Sequence, residues 1–326
     1  MANSIALFKK YIDRLDDVYK QGAKTAVLDG DMSLVQAGTN TNEIVIPKMT
    51  MSGLADYSRN SGYVRGDVGL VYETVRFNYD RGRKFGVDAM DNEETAGVAF
   101  GMLAGEFVRT QSTPELDAFR FASYAGTTGI STATATFTTG SAILAALVEA
   151  NARLSEDEVP DTERYLFITP TLLGLAKAVD LDVNKAVLES FAGVVEVPQT
   201  RFYTAIELKD GTTTGEEAGG FAKAEDAADI NFMIVHKPAV LQYTKHNVNK
   251  VITPEANQDS DEWLFMYRAY GLTDVYENKV AGIYLNTKAT EDEEATGDEE
   301  ATGDEGETGD EGETGDEGET GGEGGE

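Results

Sequence analysis

Ile5, Phe8, Ile12, Leu15 and Tyr19 recur by threes and fours through "SIALFKKYIDRLDDVYKQ". That spacing predicts one apolar stripe on a helix of about four turns, ended by "GAKTAVLDGD". From residue 43 the period shortens to two. "EIVIPKMTM" is a short extended run. "VGLVYETVRFNY" is a longer one, with Val71, Val75, Phe77 and Tyr79 on one face and Val68, Leu70 and Tyr72 starting the other. The turn-rich "SGLADYSRNSGYVRGD" between them makes a long hairpin. Two strands alone are marginal in water, so the hairpin packs on its own domain or reaches for another subunit. "FNYDRGRKFGVDAM" continues extended, broken at Gly82 and Gly86. Asp91, with Glu94 three residues on, fits a helix N-cap. The helix runs through "ETAGVAFGMLAGEFVRT" until Pro114 interrupts it, and "PELDAFRFASYA" begins a second piece.

"GISTATATFTTGS" reads as a Thr-rich strand or linker. From Ser141 helix and strand alternate. "SAILAALVEANARLSED" is helical and "RYLFITP" is a buried strand. Thr169 then caps a helix that has Pro170 at its first position. "GVVEVPQTRFYT" and "NFMIVHKPAVLQY" are further strands, separated by the polar, glycine-rich "KDGTTTGEEAGGFAKAEDA". "WLFMYRAYGLTDVYENKVAGIYLN" supplies two or three more. From Thr296 the motif "TGDEGE" and its variants repeat every six residues without a large apolar side chain, which predicts a disordered, extended tail.

Composition narrows the chemistry. The chain has 326 residues, 41% of them hydrophobic, and no cysteine, which removes disulfides, thiolate metal sites and a Cys nucleophile. No stretch approaches the roughly 20 apolar residues of a membrane span. Charges stand where a signal peptide needs its apolar region, so the expectation is a soluble protein kept inside the cell that makes it. Net charge is -31, but 18 of the 58 acids lie from Ala289 onward, leaving 40 against 27 bases before it. That body has no basic stripe for sequence-specific nucleic-acid recognition. Neither phosphate-cradle motif is present, nor a G-x-S-x-G elbow. His236 and His246 have no metal spacing, and His236 closes an apolar strand as a structural histidine. Asp88 and Asp91 form a carboxylate pair of the kind that 58 acids produce by chance. Trp263 reads as core or interface filler. Arg65-Gly66-Asp67 matches an integrin tripeptide, again a chance match in this composition. No catalytic, cofactor-binding or metal-binding residue is expected.

The stretch "FNYDRGRKFGVDAMDNEETAG" sets Arg81, Arg83 and Lys84 beside Asp88, Asp91, Glu93 and Glu94. The acids suit a helix start. The cations need an anionic partner, either on an adjacent copy or within the chain at Asp88 or Asp80.

"LVQAGTNTNEIVIPKMTMSGLADYSRNSGYVRGDV", "YETVRFNYDRGRKFGVDAMDNEETAG" and "ELDAFRFASYAG" resemble major capsid proteins of tailed phages and prophages of Gram-positive bacteria, which have the Hong Kong 97-like fold. The resemblance covers roughly residues 1–288. It implies an α+β chain with an N-terminal arm (1–42) and an extended hairpin loop (43–79). A discontinuous peripheral domain with a long spine helix follows (80–140 and 241–288), then an α/β axial domain (141–240), with the acidic tail at 289–326. It implies a non-enzymatic subunit of an icosahedral shell of pentamers and hexamers enclosing double-stranded DNA. The shell is assembled in the bacterial cytoplasm and resides in the virion. A separate scaffolding protein and a portal protein are its implied partners, with non-specific proximity to DNA, no membrane and no cofactor. Arg59, Arg65, Asp67, Arg81, Arg83, Lys84 and Asp88 are the candidate intersubunit contacts. An encapsulin-like nanocompartment shell is the alternative within the same fold. An α/β enzyme centred on 141–240 lacks any motif, and an adhesion role rests on the tripeptide alone. Eighteen negative charges placed inside would repel packaged DNA, so the tails are expected to project outward. The other expectation is that they act before packaging, for instance on a basic scaffolding partner.

Overall fold

The computed structural model describes residues 22–30, 43–94, 103–179 and 181–289. The expected N-terminal helix and the acidic repeat lie outside them. Met1–Lys288 forms one unit, which holds every strand and helix described, and Ala289–Glu326 a second.

Strands β1 (Glu43–Met51) and β2 (Val68–Arg76) form the expected hairpin, in register from Glu43 opposite Arg76 to Met51 opposite Val68. The expected run to Tyr79 is split. After Arg76 the chain leaves the hairpin, and β3 (Tyr79–Asp88) enters a different sheet. Asn78 makes the transition: its Nδ2 donates to the Thr273 carbonyl (2.7 Å) and its Oδ1 accepts from the Thr273 N–H (3.0 Å). β3 is continuous through Gly82 and Gly86. A Cβ at Gly82 would stand 2.8 Å from the Tyr267 carbonyl, so glycine there permits a close strand approach instead of a break.

The next helix, α1 (Ala89–Glu94), starts earlier than Asp91. Asp88 Oδ1 accepts from the Met90 N–H (2.9 Å) and does the capping, because the strand ends at Asp88. The middle of the expected spine helix, 95–102, lies outside the described residues. It resumes as α2 (Leu103–Phe107), a π turn (Val108–Ser112) and α3 (Thr113–Ala125). Pro114 does not interrupt it. Proline has no N–H to give, and it sits at the second residue of α3, just where the π turn has shifted the hydrogen-bond register.

β4 (Ser131–Thr134) is the Thr-rich strand. Then come α4 (Gly140–Glu156), capped by Thr139, β5 (Arg164–Ile168), α5 (Pro170–Lys177) and α6 (Leu181–Leu188). α5 has Thr169 and Pro170 where the sequence places them, although the Thr169 hydroxyl makes no cap bond. β6 (Gly193–Glu196) is shorter than expected and gives way to a 3₁₀ turn at Gln199–Arg201. The glycine-rich loop is held between two short strands that the sequence did not suggest, β7 (Ile206–Leu208) and β8 (Phe221–Lys223). β9 (Ile230–His236) is followed by β10 (Val240–Ile252), β11 (Glu262–Val275) and β12 (Ile283–Thr287).

Two sheets organise these elements. The larger runs β4-β12-β9-β5-β6. One face packs on α4 and α5 through Ile143, Leu147, Leu166, Leu173 and Phe232. The other packs on α3 through Phe121, Tyr124, Phe167 and Met233. Residues 131–134 and 283–287, distant in chain order, are thus hydrogen-bonded into one sheet with 164–168 and 230–236. The smaller sheet is antiparallel, β10-β11-β3. One of its faces carries Tyr79, Phe85, Phe265 and Tyr267 against Leu103, Phe107 and Phe119 of the helix.

Candidate assembly surfaces

Three arrangements stand out. The first is a buried polar hub under residues 22–30. Asp117 of α3 is fully buried. Its two oxygens accept from the Lys24 N–H (2.9 Å), the Thr25 N–H (3.1 Å), the Thr25 hydroxyl (2.7 Å) and the Arg201 guanidinium (2.9 Å). Arg120, one turn on, donates to Thr25 Oγ1 (2.8 Å) and pairs with Asp29. Gln242 of β10 donates to the Thr25 carbonyl and to Asp29, and accepts from Tyr124 Oη. Leu28 inserts into the adjoining core. This hub ties the segment to α3, β10 and the Gln199–Arg201 turn.

The second arrangement concerns the cationic cluster of β3. Arg81 Nε donates to Glu115 Oε1 (2.7 Å), and Arg81 NH2 donates to the carbonyls of Lys209 (2.8 Å) and Gly220 (3.2 Å). Arg83 NH2 donates to the Glu217 carbonyl (2.8 Å). Both arginines therefore hold the 209–220 loop within their own chain. Glu115 also accepts from Tyr79, whose phenol is pushed up by burial and by the carboxylate beside it. The loop is stiffened internally by Asp210, which accepts from the Thr212 and Thr213 N–H groups and the Thr213 hydroxyl; these bonds hold its carboxyl well below the usual range. Loop, β3 and helix enclose a cleft of about 430 Å³, lined among others by Phe85, Phe107 and Tyr267. Arg81→Ala is expected to cost about 2 kcal/mol, because it removes the ion-pair partner of a mostly buried carboxylate and a donor to two loop carbonyls. Arg83→Ala, which loses one exposed bond, is expected to cost under about 1 kcal/mol. Urea melts measure both, and faster proteolysis within 209–220 marks the first.

Lys84 differs from its neighbours. It is exposed and makes no ion pair among the described residues. Arg59 and Arg65 near the hairpin tip, and the Asp67 side chain, are likewise exposed and unengaged. Asp88 is exposed and occupied by its capping bond. Asp80, offered as an internal partner for the cluster, instead takes a two-pronged bond from Arg268 (2.9 and 2.7 Å).

The third arrangement is the hairpin surface. Of fifteen large apolar side chains exposed among the described residues, ten lie between Met49 and Tyr72. Leu54 is fully exposed and Tyr63 is 89% exposed. Only the root is covered, where Ile44, Val75 and Phe77 pack with Leu241, Leu272 and Tyr276. His236 closes β9, buried, and burial holds its imidazole below the ordinary range.

No protein-family model and no curated protein sequence matches the chain. Solved structures do. A chain in the asymmetric unit of the bacteriophage PhiM1 mature capsid is 12% identical with a TM-score of 0.60, covering 87% of this chain and 92% of its own. A chain of Mycobacterium phage Che8 is 12% identical with a TM-score of 0.59, over 87% and 98%. A chain of the cyanophage P-SCSP1u capsid is 13% identical with a TM-score of 0.56, over 87% and 93%. With a hairpin projecting from a helix-backed three-stranded sheet beside a helix-flanked five-stranded one, the chain carries the Hong Kong 97-like capsid fold.

Proposed function

We propose that this chain is the structural subunit of an icosahedral phage capsid, joining with copies of itself in pentamers and hexamers around double-stranded DNA. The supporting observation is the hairpin. A two-stranded ribbon with ten exposed large apolar side chains is a poor end state for a monomer in water. A neighbouring copy that covers it resolves the problem, and identical copies repeat the solution. Residues 1–42 then serve as the arm and 43–79 as the loop laid on the neighbour. The three-stranded sheet with its helix forms the peripheral region, and the five-stranded sheet the axial one. Arg59, Arg65, Asp67, Lys84 and Asp88 lie exposed for intersubunit contacts. Arg81 and Arg83 serve first to fix the 209–220 loop. Scaffolding and portal proteins are the partners of this reading, and the virion is its location. The acidic tails form an outward anionic brush; intact particles should then lose them to protease.

The test is electron microscopy and size-exclusion chromatography of the full chain, alone and coexpressed with the genes that flank its own. Closed shells, tubes or rings of five and six subunits are expected. A monomer under both conditions overturns the proposal.

A further inference from the structure

On the face of the three-stranded sheet turned away from the helix, the hairpin root covers Leu272 at one end and Leu264 is buried near the other, but the stretch between them is exposed and unevenly charged. Lys250, Met266 and Lys84 stand side by side in one row across β10, β11 and β3. Strand spacing puts the two lysines about 10 Å apart. The next row holds Val248, Arg268 and Gly82. Arg268 is satisfied by Asp80, but Lys84 and Lys250 are exposed and have no acidic partner among the described residues. One row further along the strands, at the β10–β11 turn, the sign reverses. The turn between β10 and β11, "TPEANQDSD" over 253–261, carries Glu255, Asp259 and Asp261 and no base. All three are exposed, and none makes an ion pair within the described residues. Glu262 and Asp88 lie opposite each other just beside it, and the Ala89 N–H is bonded to the Asp261 carbonyl, which adds α1 to the same end.

We propose that the lysine row receives the acidic β10–β11 turn of a second copy, Lys84 and Lys250 meeting Asp259 and Asp261 there. This rests on the shell reading above and names both halves of one of its contacts. The two halves are rigidly related, because the same strands carry both. They are also complementary, so one surface of each copy can both give and receive. A phosphate backbone fits this face less well, since the acidic turn begins three residues beyond Lys250 and would repel it. Single exposed pairs add little affinity; their effect is on register and on the rate of productive encounter. Reversing charge is therefore the informative change, because it opposes like to like.

Four full-length chains make the test: the parent, Lys84→Glu with Lys250→Glu, Asp259→Lys with Asp261→Lys, and the chain with all four changes. Particle yield by sedimentation is read beside thermal melts. Each double is expected to melt as the parent does and to lose about ten-fold or more in yield, while the fourfold variant recovers most of it. Doubles that assemble as the parent does overturn the contact and leave the shell reading standing. So does a fourfold variant no better than the doubles, which would assign the charges to other partners such as the acidic repeat or nucleic acid. A parent that stays monomeric with its flanking genes overturns the contact and the shell reading together.

Discussion

Replacing Asp117 with alanine is expected to lower the unfolding free energy by about 3–5 kcal/mol, the range for removing one partner of a buried charge pair. The change leaves the Arg201 guanidinium buried beside an apolar methyl group, and it removes the acceptor for the Lys24 and Thr25 N–H groups. The loss should be visible twice. Urea denaturation should shift to a lower midpoint, and backbone amides of residues 24 and 25 should exchange with solvent faster than the rest of the core. Asp117→Asn keeps an acceptor but puts an amide donor among donors, so an intermediate loss is expected. A variant as stable as the parent, with unchanged exchange at 24 and 25, would mean that the hub does not hold the segment.

Changing Leu54, Tyr63, Val68 and Tyr72 together to serine should produce the opposite split. All four are exposed, and surface substitutions of this kind usually move stability by within about 0.5 kcal/mol each. Covering a large apolar side chain contributes about 1.5–3 kcal/mol, so four lost at a contact repeated in every copy should abolish particles. Unchanged melting with no particles by microscopy is the expected pair of results. Normal particle yield would show that the hairpin surface is not covered in the assembly, and the main support for the proposed function would go with it.

The elements that carry strong periodicity were legible in the sequence. β1 and β2 declared themselves by alternation, α4 by its apolar stripe, and α5 by Thr169 and Pro170 at its start. What sequence alone missed is non-local. Nothing in "STAT" or "IYLNT" says that they lie side by side, because backbone hydrogen bonds between strands so distant in the chain leave no local signal. Pro114 pointed to a break only because a π turn, which accommodates it, has no sequence signature. The polar hub did have a signal. Asp117, Arg120 and Tyr124 sit at helical spacing among apolar positions such as Ala118 and Phe121, and three polar groups on one inward face demand partners. The fate of Arg81 and Arg83 had no such signal. Their acceptors are mostly backbone carbonyls of a loop well over a hundred residues away, and any sequence supplies carbonyls.

The Asn78 clasp has a consequence for how fast copies could find each other. It bonds in both directions to one residue of β11, just where the ribbon leaves the sheet, and Phe77 stacks on Tyr270 beside it at 4.9 Å. A ribbon on a loose joint would sweep a wide volume, and docking would have to quench that freedom in every copy. A clasped ribbon has less of that freedom to lose. Part of the orientational entropy is then given up before a neighbour arrives, through the Asn78 clasp and the packed root beside it. Shells form through many repeats of one encounter, so a small saving per ribbon compounds over every subunit that joins.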